Sequence, residues 1–170
     1  NSSITYPCNC MLIASMNPCP CGYFGSKEKE CTCRDDQIRK YINRISGPLL
    51  DRIDIHVEVE GVKFDKLEND SASESSSDIR KRVNNARNIQ LSRYAGYNIF
   101  SNSELTPSLI NKYCRLSQGG KKVLESAFDR LGLSARAYSR ILKVARTIAD
   151  LDNSDNIEIP HLAEAIQYRS

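Results

Sequence analysis

With 170 residues, 40% of them hydrophobic and 26% charged, the chain can bury one core, or two small ones, without disulfide help. Its 24 Lys and Arg against 21 Asp and Glu give a net charge of +3, which permits a nucleic-acid partner but does not argue for one. No apolar run approaches the roughly 20 residues that span a bilayer, and no signal-peptide pattern opens the sequence, so a cytoplasmic protein without a membrane partner is expected.

Taken in chain order, residues 1 to about 60 predict two apolar strands, near 10–16 and 53–59, separated by a Cys-rich loop and an amphipathic helix. That helix is expected from Asp35 to Ile45, with Ile38, Tyr41, Ile42 and Ile45 on one face. Two strands and a helix make no stable sheet alone, so an exposed edge or a partner chain is expected. From 61 to 77 the pattern dissolves into charged residues and SASESSS, a solvated connector.

A third segment, 78–170, reads as four or five helices forming a compact bundle. Ser77 or Asp78 is placed as the first cap, with Ile79, Val83, Ala86, Gln90 and Tyr94 on the apolar face and Arg80, Lys81, Arg82, Arg87 and Arg93 turned to water. Those five cations read either as a phosphate-binding stripe or as the wet face of an ordinary surface helix. Thr106 and Pro107 open the next helix; Val123, Leu124, Ala127, Phe128 and Leu131 mark another, ended by Gly132. Ser134 caps the longest, whose buried face is Ile141, Leu142, Ala145, Ile148 and Ala149, and a final helix begins near Pro160.

Seven cysteines without a secretory signal need an explanation other than a disulfide framework. Cys19, Cys21, Cys31 and Cys33 form C-x-C-x9-C-x-C, with Gly22, Gly25 and Ser26 letting the backbone fold back so that the pairs converge. Four thiolates satisfy tetrahedral zinc, and with every position taken such a metal is structural. Reduced solvent-edge thiols and a redox pair are the alternatives. Cys8 and Cys10 precede an apolar run, which makes Cys10 a core residue, and Cys114 reads as helix packing.

In the stretch ISGPLLDRIDIHVEV, Ile45 to Val59, Arg52 stands between Asp51 and Asp54, with Leu49 and Leu50 before it as an apolar anchor and an alternating run after it. A guanidinium pinned by packed residues on both sides suits charge stabilisation on a phosphoryl group, including one held by a neighbouring subunit. Arg136 lies two positions beyond the Ser134 cap, where backbone N–H groups and the helix dipole favour anions. It faces either a phosphate or a nearby carboxylate, and Arg140 is the alternative one turn later. Asn17, followed by Pro18, sits at a predicted strand end, where ligands gather in open α/β sheets, though Asn before Pro is also a common turn former. His56 and His161 have no ligand partner in sequence and are taken as structural.

Three strings in order, MLIASMNPCPCGYFG from Met11, ISGPLLDRIDIHVEV, and LSARAYSRILKVARTIADL from Leu133, resemble the sensor 1 strand, arginine-finger region and sensor 2 helix of magnesium-chelatase-like AAA+ ATPases, in particular their ComM branch. The resemblance implies the C-terminal part of an AAA+ α/β core, from the sensor 1 strand to the last strand, followed by an all-α lid. It implies a hexameric ring that hydrolyses ATP with Mg2+ and drives branch migration on branched or single-stranded DNA. Arg52 is then the finger reaching a neighbour's nucleotide, Asn17 the γ-phosphate sensor and Arg136 the sensor 2 contact, while Asn1 to Pro7 resemble the trailing arm of a pore hairpin. The motor subunit of magnesium chelatase and a zinc-bearing interaction module are the competing readings.

No segment fits G-x-x-x-x-G-K-[ST]: Gly119-Gly120-Lys121 lacks both the upstream Gly and the following hydroxyl. No apolar run ends in adjacent acids either. The resemblance places both features upstream of Asn1, so a C-terminal fragment without turnover of its own is expected.

Overall fold

A computed structural model describes residues 4, 10–59 and 74–169 of the chain, which divides into two compact units between Ser46 and Gly47. The segment expected as a pore-hairpin arm (Ile4 apart), Cys8 and most of the expected connector, residues 61–73, lie outside the described residues.

The first unit is small. Its helix α1, Asp35–Ile42, opens where the Gln37 side chain accepts from the Arg34 N–H at 3.0 Å, and it buries Ile38. It ends earlier than its periodicity predicts, because residues 43–45 turn back through Arg44 N–H to Tyr41 O and Ile45 N–H to Ile42 O.

In the second unit α2 is a single turn, Gly47–Leu50, and α3 runs Ser76–Arg93. A 3-10 turn, Asn102–Glu104, leads to α4, Pro107–Tyr113, then α5, Gln118–Leu131, α6, Ala135–Leu151, and α7, Ile159–Gln167. Helix α6 is central: it packs against α3, the 3-10 turn, α4 and α7, while α5 packs on α7. Tyr94, Leu105, Ile110, Leu124, Ile141, Leu142 and Leu162 form the body of the core. Cys114 is buried there, as read from sequence, and burial pushes its thiol up to about 11.

Caps set the helix starts. Ser134 Oγ accepts from Ala137 N–H at 3.2 Å and Ser117 Oγ from Gly120 N–H at 3.1 Å. The first cap is Ser75, two or three residues before the predicted Ser77 or Asp78, because its hydroxyl meets the Asp78 N–H at 3.2 Å and the Asp78 carboxylate at 2.7 Å. Gly132 ends α5 in the left-handed region at φ 60°. An added Cβ there would touch nothing within 4 Å, so Gly132→Ala carries only the conformational cost, about 1 kcal/mol, readable as a lower denaturation midpoint.

Gly119 and Gly120 have a packing reason of their own. They lie in the first turn of α5, where a Cβ at Gly119 would come 3.2 Å from Ile159 Cδ1 and one at Gly120 3.5 Å from Leu116 Cβ. The loops launching α5 and α7 meet at a parallel bridge between Leu116 and Ile157. The Gly-Gly-Lys run is thus a helix–helix contact.

Neither predicted strand forms among the described residues. Residues 10–16 and 53–59 join no strand ladder, leaving Met11 84%, Ile13 81% and Val59 87% exposed. A ladder needs neighbouring backbone, and without it apolar alternation has nothing to bury against. Cys10, expected in a core, is exposed for the same reason. No described helix is long and apolar enough to cross a membrane.

A buried polar hub ties three elements of the second unit together. Asp150, 1% exposed, accepts from Arg93 of α3, from Arg146 one turn back at 3.0 Å, and from Asn102 of the 3-10 turn at 2.8 Å. Tyr94 donates to Asn102 Oδ1 at 2.6 Å. Arg93 therefore leaves the solvent face assigned to it. Of the rest of that stripe, Lys81 and Arg82 pair with Asp78 and Glu74, and Arg80 and Arg87 are exposed.

Candidate functional site

The Arg52 segment is held by polar groups, not by the packed residues its sequence predicts. Leu49 is exposed and α2 buries no residue. Instead Asp51 Oδ1 accepts from Arg169 Nη2 at 3.1 Å and from the Ser134 hydroxyl at 3.2 Å, and Asp54 Oδ1 accepts from Arg140 Nη1. Arg140 also donates to the Arg52 carbonyl and Arg169 to the Ile53 carbonyl. The His56 N–H donates to Tyr168 O at 2.9 Å, and His56 Nε2 lies 3.2 Å from Leu50 O. Both acids beside Arg52 are thereby committed to cations of the helical domain. Arg52 itself is exposed and donates through Nη1 to the neutral Pro48 carbonyl at 2.8 Å, with no carboxylate partner among the described residues.

Arg136 occupies the second position of α6, exposed, with no carboxylate partner among the described residues. One turn on, Arg140 is committed to Asp54 and the Arg52 carbonyl. Of the two arginines that sequence left open, only Arg136 remains available to an external anion. Ser134 and Arg140 bracket it in sequence and both bind the Asp51–Asp54 stretch, so Arg52 and Arg136 belong to one tied assembly. His161, read as structural, is: Nδ1 accepts from the Glu158 N–H at 3.0 Å, leaving Nε2 to donate to Asp152 at 3.0 Å.

In the first unit the four cysteines converge. Their sulfurs all lie within 4.8 Å of one another, with Cys19–Cys21 at 3.3 Å, Cys21–Cys31 at 3.6 Å and Cys19–Cys31 at 3.7 Å. A disulfide needs about 2.05 Å. A tetrahedron of sulfurs about 2.3 Å from a single ion has edges of about 3.8 Å. The turn is made by Gly22, φ 84°, whose N–H donates to Cys19 O at 3.0 Å, and by Gly25, φ 79°.

Proton affinities split across this cluster, since four thiols so close cannot all be thiolates without a cation among them. Cys21 falls to about 5, drawn down first by its hydrogen bond from the Tyr23 backbone, against desolvation and with help from Thr32. Cys31 is pushed up to about 12: the Cys33 backbone favours its thiolate, but burial and the Cys21 and Cys19 sulfurs outweigh that. Asn17 is exposed just before a bend at Pro18, not at the end of a paired strand, and its amide lies 3.9 Å from where a Cβ on Gly22 would stand. The amide thus neighbours the turn that carries the thiols.

The profile described as magnesium chelatase, subunit ChlI C-terminal, matches residues 73–169, and that described as magnesium chelatase, subunit ChlI, matches residues 1–67. The chain belongs to the magnesium chelatase family. It is therefore an AAA+ family member whose 73–169 segment is that family's helical C-terminal domain. It is 41% identical over 171 residues to Competence protein ComM of Haemophilus influenzae, covering 100% of this chain and 32% of that protein. Uncharacterized protein YifB of Salmonella typhimurium is 41% identical over 170 residues, and the YifB protein of Escherichia coli 41% over 173, each with 99% of this chain and 32% of the relative. The chain spans about a third of the length of these curated relatives.

Within this magnesium chelatase family chain, sequence reasoning missed Arg169 altogether and treated Arg140 only as a substitute for Arg136. The ion pairs they make span 118 and 86 residues, a separation over which no local pattern speaks. The one available signal was the pair of acids around Arg52, which calls for partners somewhere in the chain.

Proposed function

We propose that this chain supplies three nucleotide-facing groups of an ATP-hydrolysing AAA+ ring that works on DNA. Arg52 reaches the triphosphate bound by the adjoining subunit, Asn17 orients water beside the terminal phosphate of its own subunit, and Arg136 follows the nucleotide as the helical domain closes. The observation that carries the reading is the guanidinium of Arg52, without a carboxylate partner among the described residues, between two acids that are both paired elsewhere. A fixed cation of this kind stabilises charge spreading over a transferring phosphoryl group and is effective because it needs no rearrangement at the moment of reaction.

Arg136 fits its role because the first turn of a helix of 17 residues offers free N–H groups and the positive end of the dipole to an anion. Unpaired apolar runs at Met11–Ile13 and Ile55–Val59 support their place in a sheet completed by further chain. ATP with Mg2+ is the proposed nucleotide, its phosphate cradle lying in that further chain. The identity with a relative called a competence protein supports DNA as the substrate, while branch migration as the work, a six-membered ring as the assembly and the cytoplasm as its place are proposed on the resemblance of the three sequence strings alone.

Cys19, Cys21, Cys31 and Cys33 are proposed to hold a structural zinc, since their spacing matches the tetrahedral edge and all four ligands are thiols. Bound there, the ion would cross-link the loop without an open position for catalysis. Protein purified under reducing, chelator-free conditions is expected to carry about one zinc per chain, and Cys31→Ser to lose it. A content far below that would leave only reduced thiols.

The test of the whole reading is an ATPase assay of the full-length protein with and without branched DNA. Hydrolysis stimulated by branched DNA is expected, and none from residues 1–170 alone. The family description favours a second reading, a motor for metal insertion into a porphyrin. Stimulation by a porphyrin-binding partner in place of DNA would establish that one.

A further inference from the structure

We propose that Arg140 and Arg169 are positioning residues that keep Arg52 free by holding the acids on either side of it. This rests on the reading of Arg52 as the intersubunit cation. A guanidinium with carboxylates at its i−1 and i+2 positions has two ready partners, and once neutralised it offers little to a phosphoryl oxygen. Both acids are diverted: Asp51 Oδ1 to Arg169 at 3.1 Å and to the Ser134 hydroxyl at 3.2 Å, Asp54 Oδ1 to Arg140. Diversion also fixes the main chain, because Arg140 takes the Arg52 carbonyl while Arg169 takes the Ile53 carbonyl and, at 3.4 Å, the Asp51 carbonyl.

The two cations do this in different settings. The Arg169 side chain is only 6% exposed, so its planar fork is desolvated and its charge-assisted bonds are directional. Arg140 stands one turn beyond Arg136 on α6, so the same helix that presents the candidate sensor 2 cation also sets the finger's backbone. Arg52 is left with the neutral Pro48 carbonyl. The helical domain is thus the mount for a charge it does not itself carry.

The experiment is steady-state ATP hydrolysis by the full-length protein. Arg140→Ala and Arg169→Ala are each expected to lower kcat by about ten- to a hundred-fold, the cost of a displaced catalytic group, with KM for ATP nearly unchanged. A released acid does the damage, so adding Asp54→Asn to Arg140→Ala, or Asp51→Asn to Arg169→Ala, is expected to restore most of the loss. A role in stability alone would show no such rescue. Arg140→Gln, which keeps a donor for the Arg52 carbonyl but drops the charge, applies the same test if an alanine variant does not fold: it should be slow alone and recover with Asp54→Asn.

On an Arg52→Ala background none of these changes should lower the rate further. Wild-type kcat in Arg140→Ala and Arg169→Ala, or failure of the Asn substitutions to rescue, overturns the proposal while Arg52 keeps its role. Wild-type hydrolysis by Arg52→Ala overturns that role, and this proposal with it.

Discussion

Arg52→Ala in the full-length protein is expected to lower kcat for ATP hydrolysis by about three orders of magnitude while leaving nucleotide affinity nearly intact. An arginine supplied by a neighbour is worth roughly 10³–10⁵ in kcat, because it meets negative charge that develops only as the phosphoryl group transfers. Ground-state binding rests on other groups, so equilibrium titration with a fluorescent nucleotide should barely change. Arg52 is exposed and bonded to the Pro48 carbonyl, so its removal breaks no ion pair among the described residues. Mixing Arg52→Ala subunits with subunits unable to bind ATP should recover sites in which an intact finger faces an intact nucleotide pocket. Equal loss of binding and hydrolysis would argue that Arg52 serves its own subunit.

Asp150→Ala is expected to cost about 3–5 kcal/mol, as breaking a buried ion pair by removing one partner generally does. Arg146, 1% exposed, would keep its bonds to the Ser154 and Asp155 carbonyls but lose its counter-charge, and Arg93 would lose both of its bonds to the carboxylate. Asn102 would lose an acceptor as well. A loss of this size is a large part of a domain's usual margin of about 5–15 kcal/mol, so the melting temperature should fall by more than 10 °C or so. Arg80→Ala, at an exposed site on α3, is the control and should melt within about 0.5 kcal/mol of the parent. A drop of only a degree or two in Asp150→Ala would mean that the hub is not what joins α3 to α6.

How much of this was legible in the sequence follows the range of each interaction. The Ser134 cap, the Gly132 stop and the apolar face of α6 are local, decided within one or two helical turns, and they stand where the pattern put them. Convergence of Cys19, Cys21, Cys31 and Cys33 was readable because glycines between the pairs announce the turn. The apolar runs at 10–16 and 53–59, expected as strands, join no ladder among the described residues, since alternation records which residues a ladder would bury and says nothing about whether the other strands are present. Arg93 was misassigned because periodicity sends cations to water by default and cannot see a buried carboxylate 57 residues away. The Arg52 anchor was attributed to apolar packing for the same reason: its real tethers, Arg140 and Arg169, lie at the far end of the chain.

Helix α3 is built unevenly, with residues 76–85 exposed throughout and burial beginning only at Ala86. Ten residues of solvated helix hold together largely through their own backbone bonds, close to the length at which isolated helices are marginal in water. Its amide protons should therefore trade with deuterium within the first moments at Ile79–Asn84, whereas those near Gln90 wait for the domain to open. Trypsin should find the Arg80-Lys81-Arg82 run in the folded protein and cut there, while Arg93, a few turns away, resists. One helix would then carry both quickly and slowly exchanging bonds.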